Sequence, residues 1–198
     1  MPKLLYAPSS PFSSKVRMAA AVADIALEEM RVETGADPEA LVAANPLGKV
    51  PTLVLDDGSA VFDSRVIMQH LDRVSGNRLF PLDATERRRA ECLEALADGI
   101  ADCAVAHVYE RRSRPEGKVH QPWLDRQWSK IVRALDSLDG KLPRLGSKAD
   151  GGQVALRASI GYLELRFAGK WEQGHRPVEH WAAGFDESFP DLKRLLPG

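Results

Sequence analysis

The chain has 198 residues, 44% of them hydrophobic, enough for one large or two small cores. Its 27 Lys and Arg stand against 28 Asp and Glu, a formal net charge of −1, which argues against a nucleic-acid partner; the runs at Arg87–Arg89 and Arg111–Arg114 are short and flanked by acids. No apolar run approaches the roughly 20 residues of a bilayer span and the first residues lack the charged-then-apolar pattern of a leader, so the expectation is a cytoplasmic protein with no membrane partner.

Lys3–Ala7 is a short apolar run closed by Pro8 and serines and reads as a buried strand. From Phe12 onward, Val16, Ala19, Ala20, Ala23 and Leu27 recur at helical spacing. Glu29–Glu33 alternates polar and apolar residues as a second strand does, and Asp37–Asn45 reads as a short capped helix. Pro51–Phe62 is two apolar runs joined by Asp-Asp-Gly-Ser, a hairpin signal. Asp63–Gly76 opens on a capping pair, keeps a helical period and stops at Gly. The order βαβ, helix, ββ, helix predicts an α/β domain with a mixed sheet.

Strand character ends in Gly76–Glu86, which places a boundary near Phe80–Asp83 and predicts a first domain over 1–80 and an all-helical one over 84–198. A long helix is expected from Ala84 to Arg112, with Leu93, Leu96, Ile100, Cys103 and His107 as its apolar stripe. Further helices are expected over Pro122–Leu138 and Gln153–Ala168; beyond Ala168, Trp, Pro and Gly mix without a clear period. Asp150-Gly-Gly-Gln153 has capping-box spacing, with the two glycines expected to weaken the helix start. Cys92 and Cys103 lie about 16 Å apart along one helix, too far for a mutual disulfide, and read as two buried free thiols. The histidines and cysteines show no metal-ligand spacing, and no Gly-x-Ser-x-Gly elbow is present, so neither a metal nor a serine-hydrolase nucleophile is expected.

Most of the chemistry-bearing pattern lies in Ser9-Ser10-Pro11-Phe12-Ser13-Ser14-Lys15-Val16-Arg17. Pro11 suits a first helical turn, which puts Ser10 at the N-cap. Ser-Pro-Phe-Ser directly after the first strand also has the spacing of a Cys-Pro-Tyr-Cys redox turn, with hydroxyls in place of both sulfurs. The stretch resembles the thioredoxin-like domain of serine-type glutathione S-transferases, and is nearest in pattern to the tau and zeta classes and to bacterial members. That resemblance implies a catalytic Ser10, with Ser9 as the alternative, and leaves Ser13 as a first-turn helix residue. Without cysteines at positions 10 and 13, a thiol–disulfide reductase is excluded.

Two further stretches carry the likeness. Asn45–Leu53, with Lys49-Val50-Pro51 at its centre, resembles the family's loop before its third strand. It implies a cis Val50–Pro51 bond and a Val50 main chain that pairs with the cysteinyl part of glutathione. Phe62-Asp63-Ser64 resembles the family's acidic-Ser motif, though the family usually carries the longer Glu or Gln where Asp63 stands. A helix N-terminus presents unpaired amides and about half a positive charge; the resemblance gives it the γ-glutamyl carboxylate at Ser64 and the α-ammonium at Asp63. Lys49 is a partner for the glycyl carboxylate or a solvated loop lysine. Phe12, His107 and Arg111 are expected to line a second-substrate pocket, with a core histidine as the other reading of His107.

Together these imply a thioredoxin-like N-terminal domain followed by an all-α helical bundle, forming a homodimer and taking glutathione as co-substrate against an electrophilic small molecule, as in detoxification. The alternative is a transferase-like binding or regulatory module that holds glutathione or a protein partner without turnover.

Overall fold

In the computed structural model, which describes residues 1–198, four short strands form one mixed sheet in the order β2-β1-β3-β4. They are β1 (Lys3–Tyr6), β2 (Glu28–Arg31), β3 (Thr52–Val54) and β4 (Ala60–Val61). β1 and β2 are parallel, with Leu4 opposite Glu29, because α1 (Pro11–Ala23) supplies the crossover that parallel strands require. β3 runs antiparallel to β1 with Leu4 opposite Leu53, and β4 antiparallel to β3 with Leu53 opposite Val61. Leu4 and Leu53 point to the face covered by α1 and α3 (Ser64–Val74), while Leu5 points the other way, against Val32 and Leu41 of α2 (Glu39–Ala44). This is the thioredoxin-like layer expected from the sequence.

Two expected elements shift. The second strand runs Glu28–Arg31, not Glu29–Glu33, and all four of its residues are exposed because it is the sheet's edge. Its alternating pattern misled because Val32, the buried residue, lies just beyond the strand. α2 starts at Glu39 instead of Asp37, since Asp37 adopts a left-handed conformation with φ of 44° after a short 3-10 turn.

The rest of the chain is helical: α4 (Ala84–Ser113), α5 (Gln121–Asp136), α6 (Gly151–Phe167), α7 (Arg176–Ser188) and α8 (Pro190–Lys193). α6 is the axis of this half. Every residue from Gly151 to Leu163 is buried, against α4 on one side and α1 on the other. The face that α4 turns inward is Ala90, Ala97, Ile100, Ala101, Ala104 and His107; Leu93, Leu96 and Cys103 are only partly buried. Of the expected stripe Ile100 and His107 are buried, whereas alanines take the place of Leu93, Leu96 and Cys103, and their small side chains let two helix backbones come close. Cys92 is exposed, which corrects the expectation of two buried thiols, and Cys103 is half-buried, with burial pushing its thiol pKa up.

That close approach also explains the glycines at the start of α6. The capping box forms in both directions, Gln153 N–H to Asp150 Oδ1 at 2.9 Å and Asp150 N–H to Gln153 Oε1 at 3.0 Å. A Cβ on Gly151 would lie 2.5 Å from the Phe80 ring, and one on Gly152 2.5 Å from the Ala90 carbonyl oxygen. The pair is a packing requirement here and does not merely weaken a helix. Gly152→Ala regains up to about 1 kcal/mol of helix propensity but overpacks against backbone, at about 1–3 kcal/mol. The expected outcome is a net loss of roughly 1–2 kcal/mol in urea unfolding.

The connection between the halves is pinned by Asp72, which is fully buried at the end of α3. Its Oδ1 accepts the Leu79 and Phe80 amides at 3.0 and 3.1 Å, and its Oδ2 takes Arg87 Nη2 at 2.8 Å. One continuous core then runs from Leu4, Val16 and Ile67 through Ala97 and Ile100 to Leu156 and Phe185. No helix is long and apolar enough to cross a membrane.

Candidate functional site

Strand direction brings the three motifs to one end of the sheet. β3 runs antiparallel to β1, so Val50, just before β3, lies at the carboxyl end of β1. β4 runs antiparallel to β3, so its carboxyl end, followed by Asp63 and the start of α3, lies at the same end of the sheet as Val50. The loop carrying Ser9 and Ser10, the Val50 backbone and the start of α3 thus meet at the carboxyl end of β1, where α/β sheets receive ligands.

Ser10 is the N-cap of α1, with its Oγ accepting the Ser13 amide at 3.2 Å. A hydroxyl has one proton and two lone pairs, and Ser10 donates its proton to no protein group. The cap and a free donor coexist in one side chain. Ser9 is half-buried and makes no hydrogen bond through its hydroxyl, whereas Ser13 is buried and its Oγ accepts the Ala7 amide at 3.4 Å. Ser14 donates to the Leu195 carbonyl at 2.6 Å, tying α1 to the segment after α8. Phe12 is half-buried in the first turn of α1.

The Val50–Pro51 peptide bond is cis, as is Phe62–Asp63. Neither the N–H nor the C=O of Val50 makes a hydrogen bond within the chain. The loop before it is held from inside: Asn45, 2% exposed, donates to the Lys49 carbonyl at 2.9 Å, and Thr52 Oγ1 donates to the same oxygen at 2.9 Å. Lys49 itself is exposed and forms no ion pair. At α3, Asp63 is exposed and caps the helix by accepting the Arg65 amide at 3.0 Å. Ser64 is 5% exposed and its hydroxyl has no protein partner. Ser9, Ser10 and Val50 are half-buried while Lys49 and Asp63 are exposed, so this end of the sheet opens to solvent.

A buried ion network beneath the site was not anticipated from the sequence. Lys15 of α1 is 1% exposed, and its Nζ lies 3.0 Å from Glu94 Oε1 and 2.8 Å from Asp98 Oδ1. Asp98 Oδ2 also receives Arg65 Nε at 2.7 Å. Through one carboxylate, α4 therefore holds both α1, which bears Ser10, and α3, which bears Ser64. Burial raises the Glu94 pKa even though Lys15 pulls it down.

His107 and Arg111 lie farther along α4. His107 is 7% exposed and packs edge-on to Phe167, with ring centroids 5.2 Å apart, and to Trp128 at 6.3 Å. Burial first, then Lys170 and Arg111, hold its imidazole pKa below the usual value, so the ring is neutral at pH 7. Arg111 is exposed, with Nη2 donating to Gln121 Oε1 at 3.0 Å. Along α4, His107 sits about 13 Å beyond Asp98, and no hydrogen bond, ion pair or ring contact links it to Ser10, Val50 or Ser64. Two cavities lie in the helical half, one of about 510 Å³ among Glu164, Trp171, His180, Asp186 and Lys193, and one of about 150 Å³ beside His175; neither reaches the three motifs. No group of three or more His, Cys, Asp or Glu side chains is placed to hold a metal ion.

Residues 4–78 match the family model described as "Glutathione S-transferase, N-terminal domain". The GST-like protein YibF of Escherichia coli K12 is 33% identical over 168 residues, covering 83% of each chain. The crystal structure of a glutathione S-transferase from Methylobacillus flagellatus KT with glutathione bound superimposes with a TM-score of 0.89 at 36% identity, over all of both chains. A glutathione transferase family member from Pseudomonas fluorescens Pf-5, also with bound glutathione, gives 0.90 at 35% identity over the same full coverage. With the thioredoxin-like sheet, the helical half and this similarity along nearly its whole length, the chain belongs to the glutathione S-transferase family.

Proposed function

We propose that this chain is a serine-type glutathione S-transferase, nearest to the tau and zeta classes, in which Ser10 donates a hydrogen bond to the sulfur of bound glutathione. The observation that carries the reading is the Ser10 hydroxyl, which caps α1 through its oxygen and keeps its proton free at the sheet end where Val50 and Ser64 converge. The unpaired N–H and C=O of Val50 offer the cysteinyl backbone a strand-like edge. The free amides and hydroxyl at Ser64 suit the γ-glutamyl carboxylate, the exposed Asp63 its α-ammonium, and Lys49 the glycyl carboxylate. Ser9 is the alternative donor.

The chemistry needs little more. A thiol with a reference pKa near 8.5 is only a few per cent ionised at neutral pH, and lowering that pKa by about two units requires about 2.7 kcal/mol of thiolate stabilisation. One hydroxyl donating to an anion supplies about 1.5–3 kcal/mol, and the start of α1 adds up to about 1 kcal/mol. The thiol proton leaves to solvent. The thiolate sulfur then attacks an electrophilic carbon, and the leaving group departs with its electron pair. Ser10 stays protonated throughout.

In this reading residues 1–80 bind glutathione and residues 84–198 present the acceptor, with Phe12, His107 and Arg111 as its walls. The buried, neutral His107 is suited to packing and not to carrying a proton. The family's usual homodimer and a cytoplasmic setting complete the proposal. Isothermal titration tests it: glutathione binds the wild-type chain, and Ser64→Ala weakens it about tenfold through loss of a hydrogen bond to a charged group. Absence of binding at millimolar glutathione contradicts the reading, and binding without turnover of any electrophile leaves a binding module.

A further inference from the structure

The loop that carries Ser9 and Ser10 is closed on itself. Ser10 N–H donates to the Ala7 carbonyl at 3.0 Å, Ser13 N–H to Ser10 Oγ at 3.2 Å, and Ala7 N–H to Ser13 Oγ at 3.4 Å. These bonds join near neighbours and set the loop's shape. Its position against the helical half depends on partners from outside.

Two such partners come from one segment, residues 195–198, which follows α8. Ahead of the two serines, Gly198 N–H donates to the Pro8 carbonyl at 3.3 Å. Beyond them, Ser14 Oγ donates to the Leu195 carbonyl at 2.6 Å, across 181 positions of sequence. Ser14 is 1% exposed, and its own N–H donates to the Ser10 carbonyl at 3.0 Å. It stands past the cap positions of α1, where Ser is a weaker helix former than Ala. A helical Ser commonly bonds back to the carbonyl four residues earlier; here the hydroxyl goes to Leu195 instead. The segment in turn lies on α6: a Cβ on Gly161 would be 2.9 Å from Pro197 Cδ and 3.1 Å from Leu196 Cδ2. α6 is fastened to α4 by Ser159 Oγ, which donates to the Ala97 carbonyl at 2.8 Å.

We infer that Ser14 is a positioning residue for Ser10, and that residues 195–198, seated on Gly161, hold the serine loop in place from both sides. A misplacement of about 1 Å in a reacting group can cost about a hundredfold in rate, so a loop bearing the thiolate's donor needs such a hold. Its effect on the sulfur rests on the transferase reading, whereas its effect on the loop does not.

The first measurement needs no ligand. In Ser14→Ala, hydrogen exchange of the Ser10 and Ser13 amides is expected to speed up about tenfold, and by more than that of the α6 core amides, which report overall stability. Gly161→Ala removes no hydroxyl but makes the half-buried Leu196 and Pro197 yield, and is expected to do the same. Exchange at Ser10 and Ser13 that follows the α6 core in both variants overturns the positioning role. The second measurement follows the ultraviolet absorbance of bound glutathione thiolate against pH. Ser14→Ala is expected to raise the midpoint by about half a unit to one unit, an about threefold to tenfold loss of thiolate below it, and to add nothing in a Ser10→Ala background. No shift where Ser10→Ala gives one, or a shift that persists in full beside Ser10→Ala, overturns it. An unshifted midpoint in Ser10→Ala itself contradicts the serine donor of the transferase reading, and the exchange result then decides alone whether residues 195–198 hold the loop.

Discussion

Replacing Lys15 by Met is expected to destabilise the chain by about 3–5 kcal/mol, the usual cost of removing one partner from a buried ion pair. The shape change is small, because both side chains are long and unbranched; the loss comes from charge. Lys15 is 1% exposed and is the only cation touching Glu94 Oε1, at 3.0 Å, while it shares Asp98 with Arg65. Without it, Glu94 either folds as an uncompensated buried carboxylate or takes up a proton. Burial already holds the Glu94 pKa above the ordinary carboxyl value in the wild type, and Lys15 is what pulls against that rise. Removing Lys15 raises the folded-state pKa further above that of the unfolded chain. The deficit of the variant is therefore smallest at acid pH, below the unfolded carboxyl pKa, and grows as pH rises through the folded one. Urea unfolding of both proteins from acid to neutral pH checks this, and Glu94→Gln added to Lys15→Met is expected to recover part of the loss. A deficit that does not change with pH would mean that packing, and not charge, sets the cost.

Ser10→Ala is expected to lower kcat/KM toward a neutral electrophile by about tenfold to a hundredfold, the kinetic equivalent of about 1.5–3 kcal/mol of thiolate stabilisation. It also strands the Ser13 amide that Ser10 Oγ accepts at 3.2 Å, which costs about 1 kcal/mol of fold stability. The two effects separate by pH. The loss of cap is independent of pH across the neutral range, whereas the activity deficit shrinks once pH passes the pKa of the free thiol, where glutathione ionises unaided. Ser9→Ala, which removes a hydroxyl with no hydrogen bond in the structure, leaves the activity unchanged if Ser10 is the donor. A large loss in Ser9→Ala with none in Ser10→Ala would exchange the roles.

The local signals in the sequence were the reliable ones. Ser10-Pro11 reads as a cap followed by a first-turn proline, Asp150 and Gln153 read as a reciprocal box, and Asp-Asp-Gly-Ser reads as a turn; each is set by a few neighbouring residues and each appears where expected. What depends on distant packing was not legible. Gly151 and Gly152 look like helix-weakening residues until Phe80 and the Ala90 carbonyl are seen to occupy the space of their missing side chains. Leu93 and Leu96 are larger than Ala97 and Ala101 and so drew the apolar stripe toward themselves, but the backbone of α6 selects the alanines. The Lys15–Glu94–Asp98–Arg65 network left one trace that could have been followed. Glu94 and Asp98 stand four apart between Ala90, Ala97 and Ala101, on the small-residue face that a long helix turns inward, and carboxylates there need a cation. Which cation answers them is a matter of tertiary structure. For the candidate site, the motifs announced Ser10, Val50 and Ser64, but their placement at one sheet end follows from strand order and direction, and buried Asn45, which holds the loop before Val50, carried no signal beyond its place ahead of a proline.

The central claim is that a neutral serine hydroxyl steadies the sulfur anion of bound glutathione, and titrating that sulfur tests it most directly. Ultraviolet absorbance of the thiolate, followed against pH with glutathione bound to the wild-type chain and to Ser10→Ala, reads the midpoint in each. The account predicts a wild-type midpoint about two units below the reference value near 8.5, and a variant midpoint about 1–2 units above the wild type. Equal midpoints in the two proteins would contradict it.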